Sequence, residues 1–112
     1  MGWRVILTRR ALADLENIIA FIAASSPATA LSTGAELVDA IFSLDFMPRR
    51  GSPLQNRADV RKLIRRHYLI FYRIDEAREA VDILRVWDAR REPEKLELPG
   101  REPTAPVQND AR

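Results

Sequence analysis

The chain has 112 residues, 46% hydrophobic and 30% charged, which is enough for one domain with one core and ordinary for a soluble globular protein. It has no cysteine, which excludes a disulfide framework and thiolate metal sites, and no apolar run near the ~18–20 residues of a membrane span. The formal charge of +2 hides three blocks: three Arg against five acids over 1–48, eleven Arg and one Lys against six acids over 49–91, and three basic against five acidic residues over 92–112.

Trp3 to Leu7 reads as a short strand with Trp3, Val5 and Leu7 on one face, and Met1 to Leu7 is too short to be expected to act as a signal peptide. Thr8 is placed to cap a helix. Leu12, Leu15, Ile18, Ile19 and Ile22 follow at helical spacing, and this helix is expected to end around Ala24–Ser25. Ser26-Pro27 is a restart signal, with Ser26 as the cap and Pro27 in the first helical position. A second stripe runs through Leu31, Ala35, Val38, Ile41, Phe42 and Asp45 until Met47-Pro48 stops it. Gly34 lies within it, where it allows another backbone to come close. The two helices should form an antiparallel hairpin.

Pro48 to Ala58 reads as a loop. Three strands are then expected, at about Val60–Arg65, Tyr68–Ile74 and Ala80–Trp87, with links short enough for hairpins. HYLIFYRI (His67–Ile74) is the clearest of them, aromatic and β-branched on both alternating faces. Beyond Arg91 the pattern fades into a proline-rich tail in which Leu96 and Leu98 could tuck against the domain. Residues 94–112 are expected to be flexible. The class is α+β, in the order β-α-α-β-β-β. The helical hairpin packs on one face of a mainly antiparallel four-stranded sheet, and the other face is left partly open as the place to look for function.

Arg61, Lys62, Arg65 and Arg66 crowd one strand and its turn. They could contact phosphate or a partner, or they could protect an edge strand from aggregation by charge. Tyr68 and Tyr72 share a face with Ile70 and Ile74, as core aromatics with hydroxyls at the rim rather than as stacking or proton-transfer groups. His67 is the sole histidine and falls in a turn, which suits a solvated side chain better than a general base. Trp87 beside Arg90 and Arg91 could anchor a partner or cap the core. No phosphate-binding glycine loop, nucleophilic triad or metal-ligand spacing is present, so no cofactor or metal is expected.

The element order, with FYRI (Phe71–Ile74) and ILRVWDARREP (Ile83–Pro93), resembles the RelE/ParE superfamily of bacterial toxins from type II toxin–antitoxin systems. The resemblance covers about Trp3 to Pro93. Two branches differ in chemistry. RelE-like members are ribosome-dependent mRNA endonucleases with basic residues along the middle strands and a tyrosine near the C-terminus. ParE-like members lack that set and inhibit DNA gyrase. Here Lys62 falls on one expected basic position, but Ile64 and Leu69 occupy two others. Arg90 or Arg91 could stand in for a third, and no tyrosine follows. His67 or Tyr68 could compensate. The ParE-like branch is favoured, with Arg61, Arg65, Trp87, Arg90 and Arg91 as target-binding residues. The alternatives are an mRNA endonuclease using Lys62, His67, Tyr68, Arg90 and Arg91, or an inactive homologue that only binds its antitoxin. The lack of cysteine fits a cytoplasmic protein, and the resemblance further implies that it forms a hetero-oligomer with a cognate antitoxin. The antitoxin would lay a helix in a groove lined by Leu12, Leu15, Ile19, Leu31, Val38 and Phe42.

Overall fold

A hydroxyl side chain starts each helix. In the computed structural model, which describes residues 2–100, the Ala11 amide donates to Thr8 Oγ1 (3.2 Å) and the Thr29 amide donates to Ser26 Oγ (3.2 Å). Each bond satisfies an amide that the first helical turn leaves unpaired. Helix α1 spans Arg9–Ala23, and α2 spans Pro27–Phe42 with Pro27 at its start. The helix was expected to continue to Met47. It stops at Phe42 because the chain tightens into a 3-10 turn over Ser43–Asp45 and then passes Met47 in a left-handed conformation (φ 50°).

The five strands are β1 (Arg4–Leu7), β2 (Ser52–Pro53), β3 (Arg61–Arg65), β4 (Tyr68–Asp75) and β5 (Ala80–Asp88), in the sheet order β1-β5-β4-β3-β2. Only β1–β5 is parallel. The expected four strands gain a fifth, two residues long, from the loop after α2. It is an edge strand, where the missing proline N–H is tolerated. Gly51, just before it, must be glycine. Its N–H donates to Tyr72 Oη (2.9 Å), and a Cβ there would lie 2.5 Å from that oxygen. The Tyr72 hydroxyl in turn donates to the Pro48 carbonyl (2.5 Å), so this phenol is buried as a structural tie.

Tyr72 pairs with Ile83 and Phe71 with Arg85, which leaves Leu84 as an extra residue, a bulge in β5. The bulge shifts the alternation. Val81, Ile83 and Val86 face the helices, while Leu84 and Trp87 face the other way. Strand β5 has nine residues and β1 only four, so β5 outruns its parallel neighbour. Residues of the first helical stretch replace the missing strand. The Thr8 hydroxyl donates to Ile83 O (2.7 Å), and Asp14 Oδ2 accepts from the Val86 amide (3.0 Å).

The helix-facing core joins Ala11, Leu15, Leu37, Ile41 and Leu44 to Tyr68, Ile70, Tyr72, Val81, Ile83 and Val86. Within α2 the inward stripe is Ala30, Gly34, Leu37 and Ile41, one residue round from the expected one. Leu31, Ala35, Val38 and Phe42 point outward. Small residues decide this register. A Cβ on Gly34 would lie 3.1 Å from Ile19 Cδ1, so only the Ala/Gly side of α2 lets the two helices approach so closely.

The second sheet face was expected to be partly open, and it is covered instead. Val60, Phe71, Leu84 and Trp87 form a second cluster, with Leu54, Leu69, Leu96 and Leu98 packed on it. The 96–100 segment is held over this face by backbone carbonyls. Glu97 O accepts from Arg85 (2.9 Å) and Gly100 O from Arg73 (2.7 Å). The expectation of a flexible tail beyond residue 100 lies outside the described residues.

Candidate functional site

The two-residue link Arg66–His67, with Arg66 at φ 57°, sets the register of the β3–β4 hairpin. Arg65 pairs with Tyr68, and Tyr68 pairs with Asp88 on β5. The three form a row across the end of the sheet, on the face that the helices cover elsewhere. Helix α1 passes this end without closing on it. Between them is a cleft of about 600 Å³, lined by Asn17, Ile18 and Phe21 from the helix and by Tyr68, Val86 and the 88–91 stretch from the sheet.

Charge in the cleft is organised in forks. Arg90 donates to Asp88 through Nε (3.0 Å) and Nη2 (2.7 Å), and its own amide donates to the same carboxylate (2.9 Å). These bonds hold the Asp88 carboxyl below its usual range. Burial, reinforced by the Asp88 charge, pushes the Tyr68 phenol up, so it stays a proton donor across neutral pH. At the back, Asp14 accepts from Arg85 Nε (2.7 Å) and Nη2 (3.0 Å). The Arg91 guanidinium lies 4.8 Å from the centre of the Trp87 ring, and that of Arg85 lies 5.3 Å from it.

The sequence-predicted residues are therefore divided. Arg65, Tyr68, Arg90 and Arg91 meet at the sheet end. His67 sits beside them, its ring centroid 4.2 Å from that of Tyr68. It is half-buried, not solvated as expected, and its Nε2 is buried with no hydrogen-bond partner. Lys62 points to the second face, opposite Phe71. Arg61 is engaged structurally, donating to Gly51 O (2.7 Å) and Arg49 O (3.2 Å). Trp87 is only 4% exposed, so it supports Arg91 from below and offers no anchor of its own.

In the groove residues, Leu31 is 78% exposed and Leu12, Val38 and Phe42 are also exposed. Ile19 is half-buried, and Leu15 belongs to the core beneath the groove. Sequence reasoning passed over Phe21, which is 78% exposed at the cleft mouth, and the Asp14–Arg85 pair. The outrunning of β1 by β5 was the one available signal for Asp14. Among the described residues, no group of His, Cys, Asp or Glu could hold a metal ion, and no helix is long and apolar enough to cross a membrane.

Three comparisons bear on this geometry. A family model described as the ParE toxin of the type II toxin–antitoxin system parDE matches residues 5–93. The chain is similar to a chain of the toxin–antitoxin complex RelBE2 from Mycobacterium tuberculosis, with TM-score 0.61 and 28% identity, covering 79% of this chain and 92% of that one. It shares its fold with a chain of the chromosomal ParDE system from P. aeruginosa (TM-score 0.64, 24% identity, 76% and 94% covered). It also shares it with a mutant of the E. coli toxin RelE in the free state (TM-score 0.59, 18% identity, 80% and 85% covered). No curated protein matches the chain significantly.

Proposed function

The chain belongs to the ParE toxin family of type II toxin–antitoxin systems, and from that premise we propose that it arrests growth by inhibiting DNA gyrase rather than by cutting RNA. One observation carries the choice. Phosphodiester cleavage needs cations and a proton carrier converging on one phosphate. Of the nuclease set, Lys62 lies on the second face within the strands, and Arg91 reaches only its edge, over Trp87. Ile64 and Leu69, which pair across β3 and β4, replace the others, and Leu69 packs into an apolar cluster under Leu96 and Leu98. Tyr68, the remaining proton carrier beside His67, belongs to the helix-facing side of the sheet.

In this reading Arg65, Arg90 and Arg91 contact the target at the exposed sheet end. Arg65 and Arg91 make no ion pair among the described residues, so both are available to an acidic surface. The protein acts in the cytoplasm and is held inactive as a hetero-oligomer with a cognate antitoxin. The similar M. tuberculosis chain belongs to a toxin–antitoxin complex, which supports such a partner. An amphipathic antitoxin helix fits the outer groove of the α-hairpin, where exposed Leu12, Leu31, Val38 and Phe42 supply anchors at helical spacing.

The test is a gyrase supercoiling assay with the purified protein, with and without its antitoxin. Antitoxin-reversible inhibition with accumulated cleaved DNA is expected, and the double variant Arg90→Glu/Arg91→Glu should be inert. Protein that still arrests growth but leaves gyrase untouched would overturn the reading. The ribosome-dependent mRNA endonuclease would then take its place, with Lys62 and the unpartnered His67 Nε2 as the first residues to replace. Protein that arrests nothing would be an inactive homologue.

A further inference from the structure

We propose that the cleft between α1 and the end of β4–β5 binds a small apolar monocarboxylate, an aryl or short alkyl acid. This inference concerns a free ligand and does not rest on the gyrase reading. Its first support is size. A cavity of about 600 Å³ lies in the range of small-ligand pockets, ~300–1,000 Å³. The second is the chemistry of the walls. Ile18 and Phe21 on one side and Val86 with the Tyr68 ring on the other are apolar, and Phe21 is exposed at the mouth of the cleft. An apolar group seated between them would cover that surface.

The third support is charge, and it selects the ligand's polar end. Four charged side chains line the cleft: Asp14, Asp88, Arg90 and Arg91. Asp14 is forked by Arg85 from behind, and Asp88 by Arg90. Arg91 alone has no carboxylate partner among the described residues. One positive charge is therefore left over, on a guanidinium that rests on Trp87 and can still present N–H groups outward. A carboxylate restores neutrality and suits the guanidinium fork. A phosphate dianion would exceed the charge left over and would sit among Asp14 and Asp88. The Tyr68 hydroxyl supplies a further donor, and Asn17 another at the helical wall.

The experiment is a titration of the isotope-labelled full chain with phenylbutyrate, its neutral amide phenylbutyramide, and phenyl phosphate, read from backbone amide shifts. Phenylbutyrate should move the amides of Asn17, Phe21, Tyr68 and Arg91 and bind roughly tenfold more tightly than the amide, the increment of one charged hydrogen-bonded pair. Arg91→Ala should erase that preference. Phe21→Ala should weaken acid and amide alike. Both side chains are exposed, so each variant should retain the wild-type spectrum elsewhere. The proposal is overturned if millimolar phenylbutyrate leaves the cleft amides unmoved, or if the amide binds as tightly as the acid. Tighter binding of phenyl phosphate, or an acid preference that survives Arg91→Ala, would equally overturn it.

Discussion

Asp14 and Arg85 are 71 residues apart in sequence and are joined by two hydrogen bonds inside the molecule. Removing one member of such a pair strands the other in a place where water cannot replace it. Asp14→Ala leaves Arg85, only 5% exposed, with a single backbone acceptor and frees the Val86 amide. The expected loss is about 3–5 kcal/mol in chemical denaturation. Adding Arg85→Met should recover part of it, because an apolar side chain removes the stranded charge.

A second residue-scale prediction concerns acid. Asp82 is 2% exposed, and burial pushes its carboxyl up despite the bond from Arg78 (3.0 Å). A raised folded-state value means that the folded chain holds a proton where the unfolded chain has released it. Stability from this group is therefore gained as pH falls through the window between the two values. Asp59, Asp75 and Asp88 behave oppositely. The Arg57 bond lowers Asp59. Burial acts against Asp75, but the Arg78 side-chain and backbone bonds outweigh it. Arg90 lowers Asp88. Their contributions are lost as pH falls below about 4, the ordinary carboxylate value. Asp82→Asn should thus make acid destabilisation steeper than in the wild type, as read from urea midpoints between neutral pH and mild acid.

At the scale of elements, the helix starts and the three long strands followed from local rules, whereas the end of α2 at Phe42 and the short β2 did not. Thr8 and Ser26 cap the helices, the HYLIFYRI run forms the central part of the sheet, and a two-residue link joins β3 to β4. What local rules could not supply was which side of an element faces inward. Helix α2 is apolar round much of its circumference, so Leu31 and Leu37 are equivalent by hydrophobicity. The small side chains opposite Ile19 decide between them, and those matter only once α1 is in place. The bulge at Leu84 is a similar case. It turns Trp87 into the second cluster, where a strict alternation would have turned it towards the helices. The cover over that cluster provides a direct test. Leu96→Ala and Leu98→Ala should each cost about 1 kcal/mol, as half-buried side chains do. Together they should shift the Trp87 emission to longer wavelength as water reaches the ring.

For the whole molecule, the family and the fold were legible because they rest on element order and on two contiguous motifs. The site was legible only in part. Arg65, Tyr68, Arg90 and Arg91 come together because the strand register brings them together, and no local pattern encodes that. The exposed apolar residues of the hairpin, Leu12, Leu31, Val38 and Phe42, and the sheet-end cleft are different surfaces. Neutralisation and toxicity should therefore separate genetically. Leu31→Glu/Val38→Glu should abolish rescue by the antitoxin while growth arrest persists. Arg90→Glu/Arg91→Glu should do the reverse, keeping antitoxin binding in a pull-down while arrest is lost.

Strand β5 lies between β1 and β4 and supplies both hydrophobic clusters, yet it is the last strand in sequence among the described residues. A nascent chain ending before Ala80 has at most two helices and the four strands β1 to β4, with no β5 to join β1 to β4. Premature stop codons should therefore be equally disabling at residue 30 or residue 80. In a screen for survivors of expression of this gene, truncating lesions should be spread along nearly its whole length. Substitutions should cluster at buried positions, among them β5, Asp14 and Gly51, and at the few arginines of the sheet end.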